Sequence, residues 1–129
     1  MSVLHSFRLP IPFLLLALLH PLAAAAADEA AACKDATSTA AMRACENKRY
    51  QDADRQLNMV YTRLMATLDN NQKEKLRLAQ RAWVQFRDAN SDFQAAAASA
   101  GTLGPLLKIA AMADMTEARL KELSNYRHP

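Results

Sequence analysis

Glycine is almost absent from this chain of 129 residues, which contains only Gly101 and Gly104. A β-sheet protein of this length needs glycine at more of its turns, so the scarcity argues against a sheet. Alanine is abundant instead, and alanine has the highest helix propensity of the amino acids. The composition therefore predicts an all-α fold.

Residues that perform catalysis or bind metal ions are also scarce. The three histidines are His5 and His20, near the N-terminus, and His128, near the C-terminus. We find no serine or cysteine nucleophile motif, no phosphate-binding loop and no cluster of metal ligands in the sequence. The sequence thus predicts a protein that is not an enzyme and needs no cofactor or metal. An enzyme acting on cell-wall glycans would need two carboxylates from different helices, an alternative that sequence alone leaves open.

Long hydrophobic runs are confined to the N-terminus, where Ile11 to Leu19 form a nearly continuous apolar segment. His5 and Arg8 precede this segment and a tract of alanines follows it, an order typical of secretory signal peptides. The segment is too short to span a bilayer, which needs ~20 residues. We therefore expect residues 1–27 to be removed on export, leaving residues 28–129 as a single domain in the periplasm or outside the cell.

Charge of one sign does not dominate the expected domain. Of the 16 Lys and Arg residues only Arg8 precedes residue 28, so 15 basic residues face 13 acidic ones and the net charge is about +2. The two signs are interspersed, which is typical of an ordinary solvated surface and not of a nucleic-acid-binding protein. The stretch from Arg43 to Arg87 is the most basic; it would favour an anionic envelope polymer, or simply be solvated helix surface.

Three segments repeat apolar residues at steps of three and four, which predicts three amphipathic helices. The first should begin near Thr37–Thr39 with a hydroxyl N-cap, and a polar turn at residues 69–71 should separate it from the second. The second should end just before Gly101, as its C-cap residue, and Pro105 suits the first turn of the third. Short connections favour antiparallel neighbours, so we expect a small bundle of three main helices.

The large aromatic residues fall on the predicted apolar stripes. Five of them are therefore expected to anchor the core: Tyr50 and Tyr61 on the first helix, and Trp83, Phe86 and Phe93 on the second.

Cys33 and Cys45 are the only cysteines of the chain. On one straight helix their Cα atoms would lie ~18 Å apart, whereas a disulfide needs them within ~7 Å. A bridge therefore requires Cys33 to lie in a non-helical lead-in that folds back along the first turns of the first helix. The spacing is not that of a redox Cys-x-x-Cys pair. We predict a structural disulfide that ties the N-terminal arm to the bundle.

Several blocks of this sequence together resemble the LprI-type lysozyme-inhibitor domain family. These are the Cys33 and Cys45 pair, Ala53-Asp54 with Leu57-Asn58 and Tyr61, the stretch 79–89, Gly104-Pro105, and Thr116 with Arg119 and Leu123. The resemblance implies an exported, mainly helical domain, and some family members bind and inhibit lysozyme. Members often carry a second cysteine pair, whose positions correspond to Ser91 and Ala111 here. We therefore expect the second and third helices to meet near these two residues.

A candidate binding face surrounds Trp83 on the second helix. Its residues are Arg77, Arg81, Arg87 and Asp88, which suit an acidic partner or a glycan. Alternatively, Arg81 and Arg87 cover the indole with their aliphatic stems and pair with acids such as Asp54.

The sequence thus predicts an exported envelope protein that acts by binding, and the resemblance implies lysozyme inhibition by occlusion. The alternative is a structural or stress-related periplasmic module that binds a membrane protein or a cell-wall polymer.

Overall fold

A computed structural model describes residues 33–98 and 101–126 of the chain. These residues form three α-helices and no β-strand: α1 spans Thr39–Thr67, α2 spans Asn70–Ala96 and α3 spans Leu103–Ser124. The predicted all-α bundle is confirmed. The predicted signal peptide lies outside the described residues and stays a prediction.

Helix α1 begins as its sequence predicts, after a hydroxyl N-cap. Ser38 has an extended backbone, and its side-chain oxygen accepts a hydrogen bond of 3.1 Å from the backbone N–H of Ala41. One of the amide groups that the first helical turn leaves without a partner is thereby satisfied.

The connection between α1 and α2 is shorter than the polar turn predicted at residues 69–71. Asp69 is the N-cap of α2 and accepts a hydrogen bond of 2.8 Å from the backbone N–H of Gln72. The Gln72 side chain in turn accepts one of 3.2 Å from the backbone N–H of Asp69, which completes a capping box. The helix therefore starts at Asn70, two residues earlier than predicted. No described non-glycine residue has a positive φ, so the asparagines do not use the left-handed conformation.

The second connection differs from the prediction at one end. Helix α2 ends at Ala96 with Ala97 as its C-cap, so Gly101 is not the cap residue, although its φ of +90° does need glycine. Pro105 lies in the first turn of α3, as predicted. A Cβ atom at Gly104 would lie 3.3 Å from the carbonyl oxygen of Ala95, so the backbones of α2 and α3 meet closely here.

Helix α3 packs against both other helices, whereas α1 and α2 make little backbone contact with each other. Arg49 on α1 pairs with Asp114 and, at 3.0 Å, with Glu117 on α3. The residues of α3 that face inward are mostly small, and the buried ones are Ala111, Ala113, Thr116, Arg119 and Leu123. The last helix of the chain is therefore the centre of the fold.

The predicted aromatic core is partly wrong. Phe86 and Phe93 are 62% and 76% exposed, while Trp83, Tyr50 and Tyr61 are half-buried. The buried residues of α2 are Arg87 and Ser91, which lie on a different side of the helix. Sequence periodicity permits either face to point inward. The packing against α3 places Ser91 inward, where it has no exposed surface.

The predicted disulfide is confirmed. Cys33 and Cys45 are bonded, and their Cα atoms lie 5.6 Å apart. The backbone N–H of Ala36 donates a hydrogen bond of 3.4 Å to the carbonyl of Cys33, which marks the turn between the arm and α1. The arm thus folds back on the first turns of α1. The expected non-helical lead-in is wrong in one respect, because Cys33 and Lys34 are helical and the bend follows at residues 35–38.

The helices α2 and α3 meet where the resemblance placed the second cysteine pair. Ser91 has no exposed surface and Ala111 is 3% exposed. On either side of Ser91, Asn90 donates to the sulfur of Met115 at 3.2 Å and Asp92 pairs with Lys108. Ser91 itself donates a hydrogen bond to the carbonyl of Asp88, so its buried hydroxyl is satisfied.

Candidate functional site

A groove of about 270 Å³ lies between α1 and α2. It exists because both helices pack on α3 and not on each other. Residues of α1 form one wall: Asp54, Leu57, Asn58 and Tyr61. Residues of α2 form the other: Arg77, Gln80, Arg81, Trp83, Val84 and Arg87. We name this cavity the α1–α2 groove.

Arg87 is the buried cation of the groove, with only 7% of the residue exposed. Its guanidinium pairs with Asp88 at 2.8 Å and lies 3.9 Å from Asp54 on the opposite wall. It also lies over two rings, 5.2 Å from the centroid of Trp83 and 5.5 Å from that of Tyr50. A charge removed from water needs such compensation. Arg87 therefore links the two helices across the groove.

Trp83 lies between two buried arginines. Besides Arg87, the guanidinium of Arg119 from α3 lies 5.9 Å from the indole centroid. Arg119 is 8% exposed, donates a hydrogen bond of 3.1 Å to Gln80, and pairs with Glu122 at 2.8 Å. The indole thus joins α2 to α3 through a cation–π contact, and Arg87 extends the cluster to α1 through the ring of Tyr50.

The rim of the groove carries the exposed cations. The side chains of Arg77 and Arg81 are 48% and 68% exposed, and both lie within ion-pair distance of Glu74. The shorter of these pairs, from Arg77, measures 3.3 Å. Exposed pairs of this kind constrain a side chain weakly, so both guanidinium groups can turn toward a partner.

The α1 wall of the groove carries hydrogen-bonding groups but no arrangement of ligands that would hold a metal ion. Asn58 donates a hydrogen bond of 3.1 Å to Asp54, so the two side chains form a polar pair on α1. No group of three or more His, Cys, Asp or Glu residues in the described part of the chain is arranged to hold a metal ion. The groove is thus suited to polar recognition of a surface or a small polar group.

The four residues of the candidate binding face do not form one continuous face. Arg77, Arg81 and Arg87 all line the groove, but Arg87 is buried beneath the rim and Asp88 is its ion partner. For Arg87 the geometry agrees with the alternative interpretation, in which it covers Trp83 and lies near Asp54. Arg81 has Glu74 as its ion partner instead. Ligand binding by Arg77 and Arg81 stays a prediction.

Sequence reasoning assigned no structural role to Arg119 or Gln80. The spacing of Arg119 contained a signal, because it stands three residues after Thr116 and four before Leu123, and both of these residues are buried. A charged residue in register with buried neighbours indicates a paired, buried charge. The neighbouring Leu120 also fits the apolar pattern, so the pattern alone did not indicate that Arg119 is buried.

The model of the lysozyme inhibitor LprI family matches residues 30–123. The chain belongs to this family. An uncharacterized protein of Rhizobium meliloti (strain 1021) is 29% identical over 104 residues, which cover 70% of this chain and 75% of that protein. No solved structure matches the chain.

Two of the blocks that resemble the LprI family, within residues 53–61 and 79–89, line the groove. Ala53 and Leu57 of the first block are buried, while Asp54, Asn58 and Tyr61 face the cavity. From the second block, Trp83 and Arg87 complete it. The blocks are far apart in sequence, and the fold brings them to one surface.

Helices suited to crossing a membrane are absent from residues 33–98 and 101–126.

Proposed function

We propose that the protein is an exported inhibitor that binds a lysozyme and blocks its substrate cleft, without chemistry of its own. The observation that carries this proposal is the position of Arg77 and Arg81, two exposed cations on the rim of a groove built from the family's sequence blocks. Membership of the LprI family supplies the class of target.

The chemistry of the target fits these cations. Lysozyme cleaves glycosidic bonds with two carboxyl groups that flank the scissile bond. Guanidinium groups bind carboxylates through charge-assisted hydrogen bonds, frequently as two parallel bonds. A rim arginine placed in the cleft would pair with a catalytic carboxylate and exclude the glycan. The net charge of about +2 provides no long-range attraction to a basic lysozyme, so the contact must be local.

The same proposal places the protein in the cell envelope. Removal of residues 1–27 would leave a domain that keeps its disulfide only outside the reducing cytosol.

A lysozyme assay on the exported protein, with its disulfide intact, tests the function. We expect close to stoichiometric inhibition of an animal-type, goose-type or phage-type lysozyme acting on a cell-wall suspension. Arg77→Glu combined with Arg81→Glu should weaken inhibition by about tenfold or more, since each contact reverses sign. Arg43→Glu combined with Arg63→Glu makes the same change in net charge away from the groove and should leave inhibition intact. Absence of inhibition of all three lysozyme types at high micromolar concentration would remove this function.

A second candidate is a module that binds an anionic cell-wall polymer. A shallow concavity of about 460 Å³ between the N-terminal halves of α1 and α3 supports it, because Arg43 and Lys108 line that surface. Sedimentation with purified peptidoglycan would test it. Binding should weaken as salt screens the cations, and Arg43→Glu should abolish it.

A further inference from the structure

Helix α2 carries an apolar stripe that no described residue covers. Its members are all exposed and lie along one side of the helix: Leu78, Ala82, Phe86, Ala89, Phe93 and Ala96. Phe86 and Phe93 are seven residues apart, so they point in directions that differ by only ~20°. We name this surface the α2 stripe. From Leu78 to Ala96 it is about 27 Å long.

The exposure of this stripe is unusual for a monomer. Phe93 at 76% and Phe86 at 62% are the most exposed large hydrophobic residues of the described chain. Apolar side chains scattered singly on a surface need no explanation, but a continuous row of this kind marks an interaction surface. The row lies on the side of α2 away from Arg87 and Ser91, and thus away from α3.

The stripe is complementary in shape to a reversed copy of itself. Its large residues alternate with alanines, so two stripes packed antiparallel, with a two-fold axis between residues 87 and 88, bring large residues against small ones. Phe86 then lies against the partner's Ala89, and Phe93 against the partner's Ala82. Close helix packing needs this interlocking of ridges and grooves.

The charges beside the stripe are complementary in the same arrangement. Arg77 and Arg81 lie along one edge in its N-terminal half, beside their ion partner Glu74, and Asp88 and Asp92 continue that edge in its C-terminal half. Asp88 lies next to the two-fold axis, where Arg87 pairs with its charge. In an antiparallel pair, the charged edge of one helix lies beside the charged edge of the other, and the two helices run in opposite directions. Arg81 therefore approaches the partner's Asp92. Asp92 already pairs with Lys108, but 63% of its side chain is exposed. A parallel pair would instead place the charged edge beside the opposite edge, which carries no acidic residue in α2.

We propose that the α2 stripe is the interface of a homodimer, in which two copies of this chain pack their α2 helices antiparallel. The contact is isologous, because the same patch serves both copies and closes the assembly at two. A single helix pair of this length falls below the standard area of stable complexes, so the dimer dissociates in the micromolar range. The interface goes beyond the proposed function. It engages Arg81, which the proposed function assigns to lysozyme, so the monomer is the inhibitory form.

Sedimentation equilibrium of the exported protein, from low micromolar to near-millimolar concentration, tests the proposal. We expect a monomer–dimer equilibrium. Phe86→Ser combined with Phe93→Ser should raise the dissociation constant about a hundredfold or more, since four rings leave the interface. Helicity and the monomer's melting temperature should stay unchanged, because both rings are exposed in the monomer. Met59→Ser, at an exposed methionine of α1, is the matched control and should leave the dimer intact.

Charge exchange and crosslinking test the orientation. Arg81→Asp or Asp92→Arg alone should weaken the dimer several-fold, and the two together should restore it by rebuilding the pair with reversed signs. Ala82→Cys chains mixed with Phe93→Cys chains should give a crosslinked heterodimer in the antiparallel arrangement. Ala82→Cys chains alone should crosslink only in a parallel one.

Three results would overturn the proposal. The first is a monomer at every concentration, and the second is a dimer that survives both serine substitutions. The third is loss of lysozyme inhibition in the Phe86→Ser, Phe93→Ser variant at concentrations where the wild-type protein is monomeric, which would make lysozyme the occupant of the stripe. Retained inhibition by that variant, with the dimer lost, supports the homodimer and separates it from the proposed function.

Discussion

The guanidinium of Arg87 lies 5.2 Å from the centroid of the Trp83 indole, on the same helix and one turn along. Each residue also reaches a second helix, Arg87 toward Asp54 and Trp83 toward Arg119. The pair therefore links α2 to both α1 and α3. Without it, α1 and α2 would be held together by their packing on α3 alone.

Removing this cation should destabilise the fold. We expect Arg87→Ala to lower the free energy of unfolding by about 2–4 kcal/mol, through loss of stacking, packing and ion pairs. Arg87→Lys should cost less, because it keeps the charge and loses the planar stacking group. Arg81→Ala is the exposed control and should cost under about 1 kcal/mol. Urea denaturation measures all three; equal effects of Arg87→Ala and Arg81→Ala would contradict the structural role of Arg87.

The aromatic residues of α2 should divide into two classes. Trp83→Ala should cost about 3 kcal/mol, at the lower end for an aromatic truncation because the indole is half-buried. Phe86→Ala should cost under about 1 kcal/mol in the monomer, since its ring is exposed. Thermal denaturation at low micromolar concentration checks both. A larger loss of stability from Phe86→Ala would show that this ring belongs to the core.

The disulfide should stabilise the domain even though it closes a short loop. Cys33→Ser combined with Cys45→Ser should lower the free energy of unfolding by about 2–3 kcal/mol. For a domain of this size the loss corresponds to a melting temperature lower by roughly 10 °C. Reductant should lower the wild-type melting temperature similarly and leave that of the double variant unchanged. A reductant effect on the double variant would show that the effect does not come from the bridge.

A second disulfide should form between α2 and α3. Ser91→Cys combined with Ala111→Cys places two thiols where these helices meet, and closing that loop should add about 3 kcal/mol of stability. Mass spectrometry without reductant should show a chain four hydrogens lighter than the fully reduced form. Ser91→Cys combined with Ala118→Cys, which puts the second thiol at an exposed position of α3, should retain two free thiols.

The sequence predicted the helices well because their signals are local. The Ser38 hydroxyl, Pro105 and the steps of three and four act within one or two turns of chain. The capping box of Asp69 and Gln72 is equally local, and it was missed because the adjacent asparagines suggested a turn. The disulfide could be predicted because Cys33 and Cys45 are the only cysteines of a chain expected to be exported, and the helix geometry then required a bend between them.

The rotation of α2 could not be predicted from such signals. Phe86 and Phe93 repeat as regularly as core residues do, and only the close approach of α3 decides that Ser91 faces inward. The groove shows the same limit. Arg77, Arg81 and Arg87 were identified as candidates, but the burial of Arg87 depends on Tyr50 and Asp54 from another helix.

The central position of α3 fixes when the chain can fold. Helices α1 and α2 bury their inner faces mainly against α3, which follows both of them in the sequence. A polypeptide that emerges with its N-terminus first therefore has no complete core until α3 has been released. For a chain exported as proposed, this delay keeps the polypeptide unfolded while it threads through a translocation pore. The disulfide between Cys33 and Cys45 can then form after the chain has crossed the membrane.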